Sequence, residues 1–510
     1  MKKILKINQN LKFLLSPWIN NCPNYIFKNI ISDSRIAKPQ DLFIAIPGSL
    51  TDGRNYISQA IKKNVSAILA EKTNNKKHGE IEIFKNIPII YFSSLNKNLS
   101  KLAGRFYNNP SHSLFIIGIT GTNGKTTISH LLSQWVNILG KKSAVMGTMG
   151  NGVINKDMDL TKNTTDSSIY IQKFLLKLKN KKVNFVSMEV SSHALSQYRV
   201  DGLQFNVAIF TNISHDHLDY HNNMLNYTLA KWRLFSELKI KKYIINANDK
   251  IGQRWLFYLQ LKKQYPYITA VSPNYIPSFF SLWKGKWIYA KKIQYNFDHT
   301  CISFKSSWGH STIYSPLIGK CNVDNILLTI ATLLSLGYSL KKLLNTSKQL
   351  QPIDGRMEIF YTKKKPIVLI DYAHTPDALK KTLITARYYC KTGKIWCIFG
   401  CGGNRDKKKR PIMGNISEKY SDKIIITDDN PRNEKPKTIA KEIRNGIKNK
   451  KKIKIIHNRI QAIHKTVKSA SSNDLIVLAG KGNEKYQIIK NKYHIYSEKK
   501  TIQKLLGKLK

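Results

Sequence analysis

Gly118-Ile119-Thr120-Gly121-Thr122-Asn123-Gly124-Lys125-Thr126-Thr127 is the stretch of this 510-residue chain best equipped for chemistry. The apolar run Leu114-Phe115-Ile116-Ile117 precedes it, and an amphipathic stretch, Ile128 to Leu139, follows. Strand, glycine-rich turn and helix together make the setting in which backbone N–H groups cradle phosphate. Gly121 and Gly124 permit the tight turn, and the helix N-terminus adds partial positive charge there. Lys125 suits the β- and γ-phosphates of a nucleotide, and the Thr126 hydroxyl suits Mg²⁺. The first glycine of the common phosphate-loop spelling would fall at 119, which is Ile.

Two later stretches bear ionisable groups. Met188-Glu189-Val190-Ser191-Ser192-His193 ends a strand-like run. A carboxylate at such a strand end suits Mg²⁺, held directly or through water. The segment from Phe210 to His221 gathers His215, Asp216, His217, Asp219 and His221 in its last seven positions. That density fits metal or phosphate work, and it also fits a generic polar loop. Lys231, in Ala230-Lys231-Trp232, sits on a helix-like stretch as one lysine among 71.

The elements that must position these groups alternate. Strand-like runs at 42–46, 67–70 and 89–92, with a helical stretch from Leu95 to Phe106, make a first segment. Asn108-Asn109-Pro110-Ser111 reads as a linker. Largely apolar runs at 183–190 and 206–211 suit a mainly parallel sheet covered on both faces. Strand–helix alternation resumes at 367–370, 395–399, 424–427 and 475–479, each run ending at polar or glycine residues, where α/β sheets place ligands. The expected fold is α/β in three domains. A smaller α/β domain spans 1–110, a central phosphate-loop domain with a mainly parallel sheet and flanking helices spans 111–350, and a Rossmann-like domain spans 351–510.

The net charge of +53 raises the question of nucleic acid. Only 13 of the 84 basic residues are Arg, and the lysines are spread over the whole chain. A nucleic-acid surface leans on Arg, so no specific nucleic-acid partner is expected. The basic runs Lys363–Lys365, Lys407–Arg410 and Lys450–Lys452 read as solvated surface. Six scattered cysteines without a C-x-x-C pair argue against a disulfide framework and for a reducing, cytoplasmic setting. No apolar run is long enough to span a bilayer, and Lys6, Asn8, Gln9, Asn10 and Lys12 interrupt any signal-peptide core. No membrane partner is expected, and a monomer is.

Taken together, Thr-Gly-Thr-Asn-Gly-Lys-Thr-Thr (120–127), Glu-Val-Ser-Ser-His (189–193), His-Leu-Asp-Tyr-His (217–221) and Ala-Lys-Trp (230–232) resemble the Mur ligases in order and spacing. These cytoplasmic, ATP-dependent enzymes add amino acids to the UDP-linked peptidoglycan precursor. Asp429-Asn430-Pro431-Arg432 resembles the block of members that add meso-diaminopimelate to UDP-MurNAc-L-Ala-D-Glu. The resemblance runs from Asp33-Ser34-Arg35 to Gly480-Lys481-Gly482-Asn483-Glu484.

The resemblance implies ATP and Mg²⁺, a carboxylate activated as an acyl phosphate, and attack by the incoming amine. It implies catalytic roles for Lys125, Glu189, His217 and Lys231, the last as a carbamylated lysine. Metal ligation would fall to Thr126, Glu189, His217 and Lys231. Nucleotide binding would fall to Gly121 through Thr127 (Gly121, Thr122, Asn123, Gly124, Lys125, Thr126, Thr127), with Asn322, Asn325, Arg356, Asp371 and His374. The UDP-MurNAc-dipeptide would meet Ser34, Ser49, Leu50, Thr51, Asn163, Thr164, Thr165, Ser191, Gln197 and Arg199. Diaminopimelate would meet Arg405, Asp429, Asn430, Pro431, Arg432, Gly480 and Glu484. The chain departs from the family pattern at Cys321, usually aromatic or His, and at Asn483, often His. Other readings are a lysine-adding ligase, a folylpolyglutamate synthetase-like ligase, and a basic phosphate-loop ATPase acting on nucleic acid.

Overall fold

The computed structural model describes residues 10–48, 51–156, 158–161, 163–490 and 492–507. They form two compact units. One takes the described residues up to Gly118 with Gly140–Ala208 and Ala230–Lys241; the other takes Ile119–Leu139, Ile209–Leu229 and the described residues from Lys242 on.

The first unit holds a five-stranded sheet in the order Asn29–Ile31, Asp41–Ala45, Ala67–Glu71, Ile87–Phe92, Ile81–Phe84. Its pairs are parallel except the last. Leu42, Ile44, Leu69, Ile90 and Phe92 from its strands pack with Leu95, Leu99 and Phe106 of the helix Leu95–Phe106. Each such side chain, removed from water, contributes roughly 1.5–3 kcal/mol.

In the second unit the strands Gly309–Ser315, Thr300–Ser306, Lys286–Tyr295, Ile268–Ser272 and Ile240–Asn246 are neighbours in that order, and in the first unit Phe185–Glu189, Ser143–Gly147, Gly150–Gly152 and Met158–Asp159 are; Phe115–Thr120 and Phe205–Phe210 are strands as well. Ile116, Ile117, Ile119, Val186, Val207, Ala208 and Ile209 are buried, as expected of strands covered on both faces. The stretch 286–315 departs from the parallel expectation: its strands pair antiparallel. Their alternating exposed positions, such as Lys291, Lys305 and Tyr314, fit a sheet with one wet face.

In the second unit a six-stranded sheet runs Glu358–Phe360, Ile367–Asp371, Leu475–Ala479, Ile395–Phe399, Lys423–Ile426, Ile453–Ile455. All pairs but the first are parallel. Parallel pairing puts the carboxyl ends of four strands on one edge. The segments beginning at Asp371, Gly400, Thr427 and Gly480 therefore leave the sheet together. Among the described residues no helix is long and apolar enough to cross a membrane.

Candidate active site

The candidate residues divide between the two units, and each set has its own geometry. In the second unit the phosphate loop follows the strand Phe115–Thr120 and opens the helix Lys125–Ile138. Gly124 takes φ +90° and brings no side chain to the helix N-terminus. Gly121, at φ +144°, lets the loop lie against its neighbour: a Cβ there would stand 1.9 Å from Thr211 Oγ1. Thr211 and Asn212 hold the loop. The Thr211 hydroxyl donates to the Asn123 carbonyl at 2.6 Å, and the Asn123 N–H donates to Asn212 Oδ1 at 3.1 Å. The Thr122 N–H donates to the Asn212 carbonyl at 2.8 Å. Lys125 Nζ donates to the carbonyls of Gly121 and Thr122 at 2.9 and 2.8 Å. Thr126 and Thr127 are buried at the start of the helix.

Arg356 reaches the same place. Its guanidinium donates to Thr126 Oγ1 at 3.1 Å and lies 4.3 Å from the centre of the Tyr372 ring. Arg356 Nε is buried without a hydrogen-bond partner. Asn325 backs the turn, because a Cβ on Gly124 would come 2.5 Å from its Oδ1. Asn325 Nδ2 donates to Asn322 Oδ1 at 3.0 Å, and Asn322 Nδ2 to the Ile318 carbonyl at 2.8 Å. Burial pushes the neighbouring Cys321 thiol up to about 12, which leaves it an inert packing group.

Asp371 and His374 are not paired with each other. Asp371 accepts from the Met357 N–H at 2.8 Å and from the Thr382 hydroxyl at 3.1 Å. His374 Nδ1 meets the Tyr372 carbonyl at 2.9 Å, and its Nε2 lies 3.8 Å from Asp216 Oδ2. Asp216 is the hub here. Buried itself, it has His217 Nε2 at 3.3 Å and Lys409 Nζ at 3.5 Å. Burial pushes its carboxyl up, but Lys409, His374 and His217 outweigh that and hold it well below the usual carboxylate range. Beside it His215 Nε2 meets the buried Asp406 at 2.8 Å. His217 itself has φ +55°.

The third-segment set converges at the sheet edge. Asn430 Nδ2 donates to Glu484 Oε2 at 2.9 Å, and Lys481 Nζ donates to Asn430 Oδ1 at 2.9 Å. Lys481 also pairs with Glu484. Asp429 Oδ1 accepts from the Asn430 N–H at 2.7 Å. Gly480, at φ +109°, leaves room for Asp429: a Cβ would stand 2.8 Å from its Oδ2. The Pro431 carbonyl accepts from the Glu434 N–H at 3.0 Å. Arg432, at φ +52°, donates through NH1 to the Gly403 carbonyl at 3.0 Å. Burial lowers the pKa of Arg432, and the nearby Arg405 guanidinium lowers it further. Both side chains come near Gly402, with Arg405 exposed. Such a pair suits an incoming carboxylate.

In the first unit Glu189 is buried at the end of the strand Phe185–Glu189. Thr148 donates to it twice, from its N–H to Oε1 at 2.9 Å and from its hydroxyl to Oε2 at 3.1 Å. Thr148 Oγ1 is 3.1 Å from Thr164 Oγ1. The Thr165 hydroxyl donates to the Glu189 carbonyl at 2.8 Å and accepts from the Ser191 N–H at 3.0 Å. Ser191 Oγ then caps the helix Ser192–Ser196 through the Ala194 N–H at 3.2 Å. Arg199 donates to the Thr165 carbonyl at 2.6 Å, and to Gln197 Oε1 from Nε at 3.0 Å. Thr164, Thr165, Ser191, Gln197 and Arg199 are thus one connected network around Glu189, with Asn163 exposed at its margin.

Lys231 is 1% exposed on the helix Met224–Ser236. Ser34 is buried and donates to Gln59 Oε1 at 2.6 Å. Thr51 is exposed, and Ser49 and Leu50 lie outside the described residues. Among the described residues no three or more His, Cys, Asp or Glu side chains are grouped as a ready-made metal site.

One sequence expectation is corrected. The run Lys407–Arg410 is not all solvated surface: Lys407 and Lys408 are exposed, but Lys409 and Arg410 are buried. Lys409 pairs with Asp216, and Arg410 NH1 donates to Glu434 at 2.8 Å and Glu442 at 2.6 Å. The run enters the helix Lys409–Tyr420, whose first turn points inward. Thr148, Thr211, Asn212, Asp406, Lys409 and Lys481 are the neighbours that sequence reasoning did not single out; Asp216 entered it only as a member of the His/Asp-rich loop.

Comparison with known proteins yields three family models in chain order: "Mur ligase family, catalytic domain" over residues 27–107, "Mur ligase middle domain" over 119–333, and "Mur ligase, glutamate ligase domain" over 355–482. The chain is 52% identical over 508 residues to the UDP-N-acetylmuramoyl-L-alanyl-D-glutamate--2,6-diaminopimelate ligase of Buchnera aphidicola subsp. Acyrthosiphon pisum, covering 98% of this chain and 99% of that one. It is 49% identical to the protein of the same name from Blochmanniella floridana, covering 98% and 100%. A solved structure of a ligase of that name superposes with a TM-score of 0.67 at 28% identity, covering 98% of this chain and 99% of the other.

Proposed function

This chain belongs to the Mur ligase family of ATP-dependent ligases, and we propose that it joins meso-diaminopimelate to UDP-MurNAc-L-Ala-D-Glu in building the peptidoglycan precursor. The observation that carries the reading is the 52% identity over nearly the whole chain to a relative named for that reaction. The assembled cluster of Arg405, Arg432, Asp429, Asn430 and Glu484 supports the choice of amino acid. We propose the boundaries 1–110, 111–350 and 351–510 for domains that bind uridine, ATP and the amino acid.

In the proposed reaction the D-Glu carboxylate oxygen attacks the γ-phosphorus of ATP and ADP leaves. The amine of diaminopimelate then attacks the acyl carbon, loses a proton, and phosphate leaves. Positioning and charge neutralisation supply most of the help. Lys125 and the turn from Gly121 to Thr127 would cradle the phosphates. Arg356, whose buried Nε lacks a partner, fits an anionic or ribose oxygen beside Thr126. Asn322, Asn325, Asp371 and His374 would complete the nucleotide side.

Glu189 offers an ionisable oxygen and Thr126 a hydroxyl, donor types that suit Mg²⁺, and each is proposed as a ligand. His217 is proposed as a ligand of a second ion, and Lys231, once carbamylated, as a metal ligand. Bound Mg²⁺ would neutralise phosphate charge. Ser34, Ser49 to Thr51, Asn163, Thr164, Thr165, Ser191, Gln197 and Arg199 are proposed to hold the nucleotide-sugar dipeptide. Arg405 and Arg432 would read the distal carboxylate, and Asp429, Asn430, Pro431, Gly480 and Glu484 the rest of the distal end. We place the enzyme in the cytoplasm as a monomer.

The test uses purified protein with ATP, Mg²⁺, UDP-MurNAc-L-Ala-D-Glu and either meso-diaminopimelate or L-lysine. ADP release should require both acceptor and diaminopimelate. Turnover with lysine in its place, or ATPase activity stimulated by single-stranded nucleic acid alone, would overturn the reading.

A further inference from the structure

Lys481 has no role in the proposed reaction so far, yet it is fully buried in the third-segment cluster. A buried ammonium requires partners. It has the Asn430 Oδ1 at 2.9 Å, the Glu484 carboxylate and the Tyr486 ring, 5.6 Å to its centre. Ile488 N–H donates to the same Asn430 oxygen at 2.9 Å.

An asparagine amide has one accepting and one donating end of nearly equal shape. Lysine and a backbone N–H can only donate, so together they fix Oδ1 on their side. The NH₂ end is thereby turned to Glu484, where it donates at 2.9 Å. Glu484 is the open member of the trio, its side chain 20% exposed. Tyr372 OH donates to its other oxygen at 3.4 Å. The deeper buried pair Arg459–Glu498, joined from Arg459 Nε at 2.8 Å, steadies the floor, because Arg459 NH2 also holds the Ala479 carbonyl at 2.9 Å, one residue before Gly480.

We propose that Lys481 is a specificity-determining positioning residue, which orients the Asn430 amide and, with it, aims the Glu484 carboxylate at the distal ammonium of a diamino-diacid substrate. The inference rests on the proposed diaminopimelate reaction. Arg405 and Arg432 read the distal carboxylate, and Glu484, held by Lys481 and Asn430, reads the distal amine. Without Lys481, Asn430 loses one of its two reasons to face one way. Glu484 loses its fixed counter-charge.

The experiment compares meso-diaminopimelate with 2-aminopimelate, which keeps both carboxylates but lacks the distal amine. Wild-type enzyme should favour diaminopimelate in kcat/KM. In Lys481→Met that preference should narrow by about tenfold, with KM for ATP unchanged. A merely structural role would lower both substrates alike and leave the ratio intact, which would overturn the proposal. Asn430→Leu, similar in size, removes the amide that Lys481 orients and should narrow the ratio in the same way. If Lys481→Met does not fold, this variant decides. Wild-type protein that uses lysine and neither pimelate would sink the reaction assignment itself, a result distinct from an unchanged ratio.

Discussion

Gly147 leaves open the space that the Glu189 carboxylate fills: a Cβ at 147 would stand 2.2 Å from Glu189 Oε1. The two residues lie at the ends of paired parallel strands, and the Thr148 N–H next to Gly147 donates to that same oxygen. The glycine is required by the neighbour's side chain rather than by its own backbone, which has no positive φ. Gly147→Ala should therefore fold and push Glu189 off its two Thr148 bonds. A shift of about 1 Å in such a group lowers kcat by about 10²-fold. Steady-state kinetics with the thermal midpoint measured in parallel checks this; full activity would deny Glu189 its proposed role.

Arg356 joins the phosphate-loop hydroxyl of Thr126 to the face of Tyr372. Its planar head makes both contacts at once, and an ammonium cannot. Arg356→Lys should weaken ADP binding by roughly tenfold or more in calorimetry, while KM for diaminopimelate stays within about twofold. Equal losses on both substrates would point to a general loss of structure.

Arg432 is held at low exposure beside Arg405, and burial together with that second cation makes its charge costly. A substrate carboxylate, if bound there as proposed, would offset both costs. Arg432→Ala should raise KM for meso-diaminopimelate by about 10²-fold or more and leave KM for ATP unchanged. Parallel titration of the two substrates checks it. A matching rise for ATP would remove Arg432 from the distal pocket.

His130, on the helix that the phosphate loop opens, is buried, and its pKa falls from 6.5 to about 4 through desolvation and the nearby Arg356. Between those values the unfolded chain takes up a proton that the folded chain refuses. Stability is therefore lost as pH falls from 6.5 towards 4, by on the order of 3 kcal/mol from this group. His130→Leu should flatten that part of the curve. Chemical unfolding of both proteins at pH 7, 5.5 and 4.5 measures the difference. Parallel slopes would contradict it.

Much of this was legible from residue pattern, because the elements concerned follow simple rules. The run before Gly118 and the helix after Gly124 fall where strand–turn–helix logic puts them, and the apolar runs at 395–399 and 475–479 are strands. Partnerships were not legible. Thr148 serves Glu189 from 41 residues away, and Lys409 serves Asp216 from 193 away. Nothing local to either residue announces the pairing. Lys409 and Lys481 looked like ordinary members of a lysine-rich chain, and only burial separates them from the rest. The antiparallel strands of 286–315 escaped for a related reason: one exposed face breaks the continuous apolar run that marked the other strands.

Arg432 is stitched by its main chain to the hairpin Tyr486–Ile489 and Lys492–Ile495, through its N–H to the Ile488 carbonyl at 3.0 Å and from the Lys490 N–H to its own carbonyl at 2.8 Å. Main-chain bonds are blind to side-chain identity. The ribbon can therefore drift in composition, as its exposed Tyr493 and Ile495 suggest, while still gauging the reach of the arginine. Length is what it cannot change freely. A single residue added between Glu484 and Ile488 would slide this pairing by one step and re-aim the side chain of Arg432, so its reach is set by a residue count.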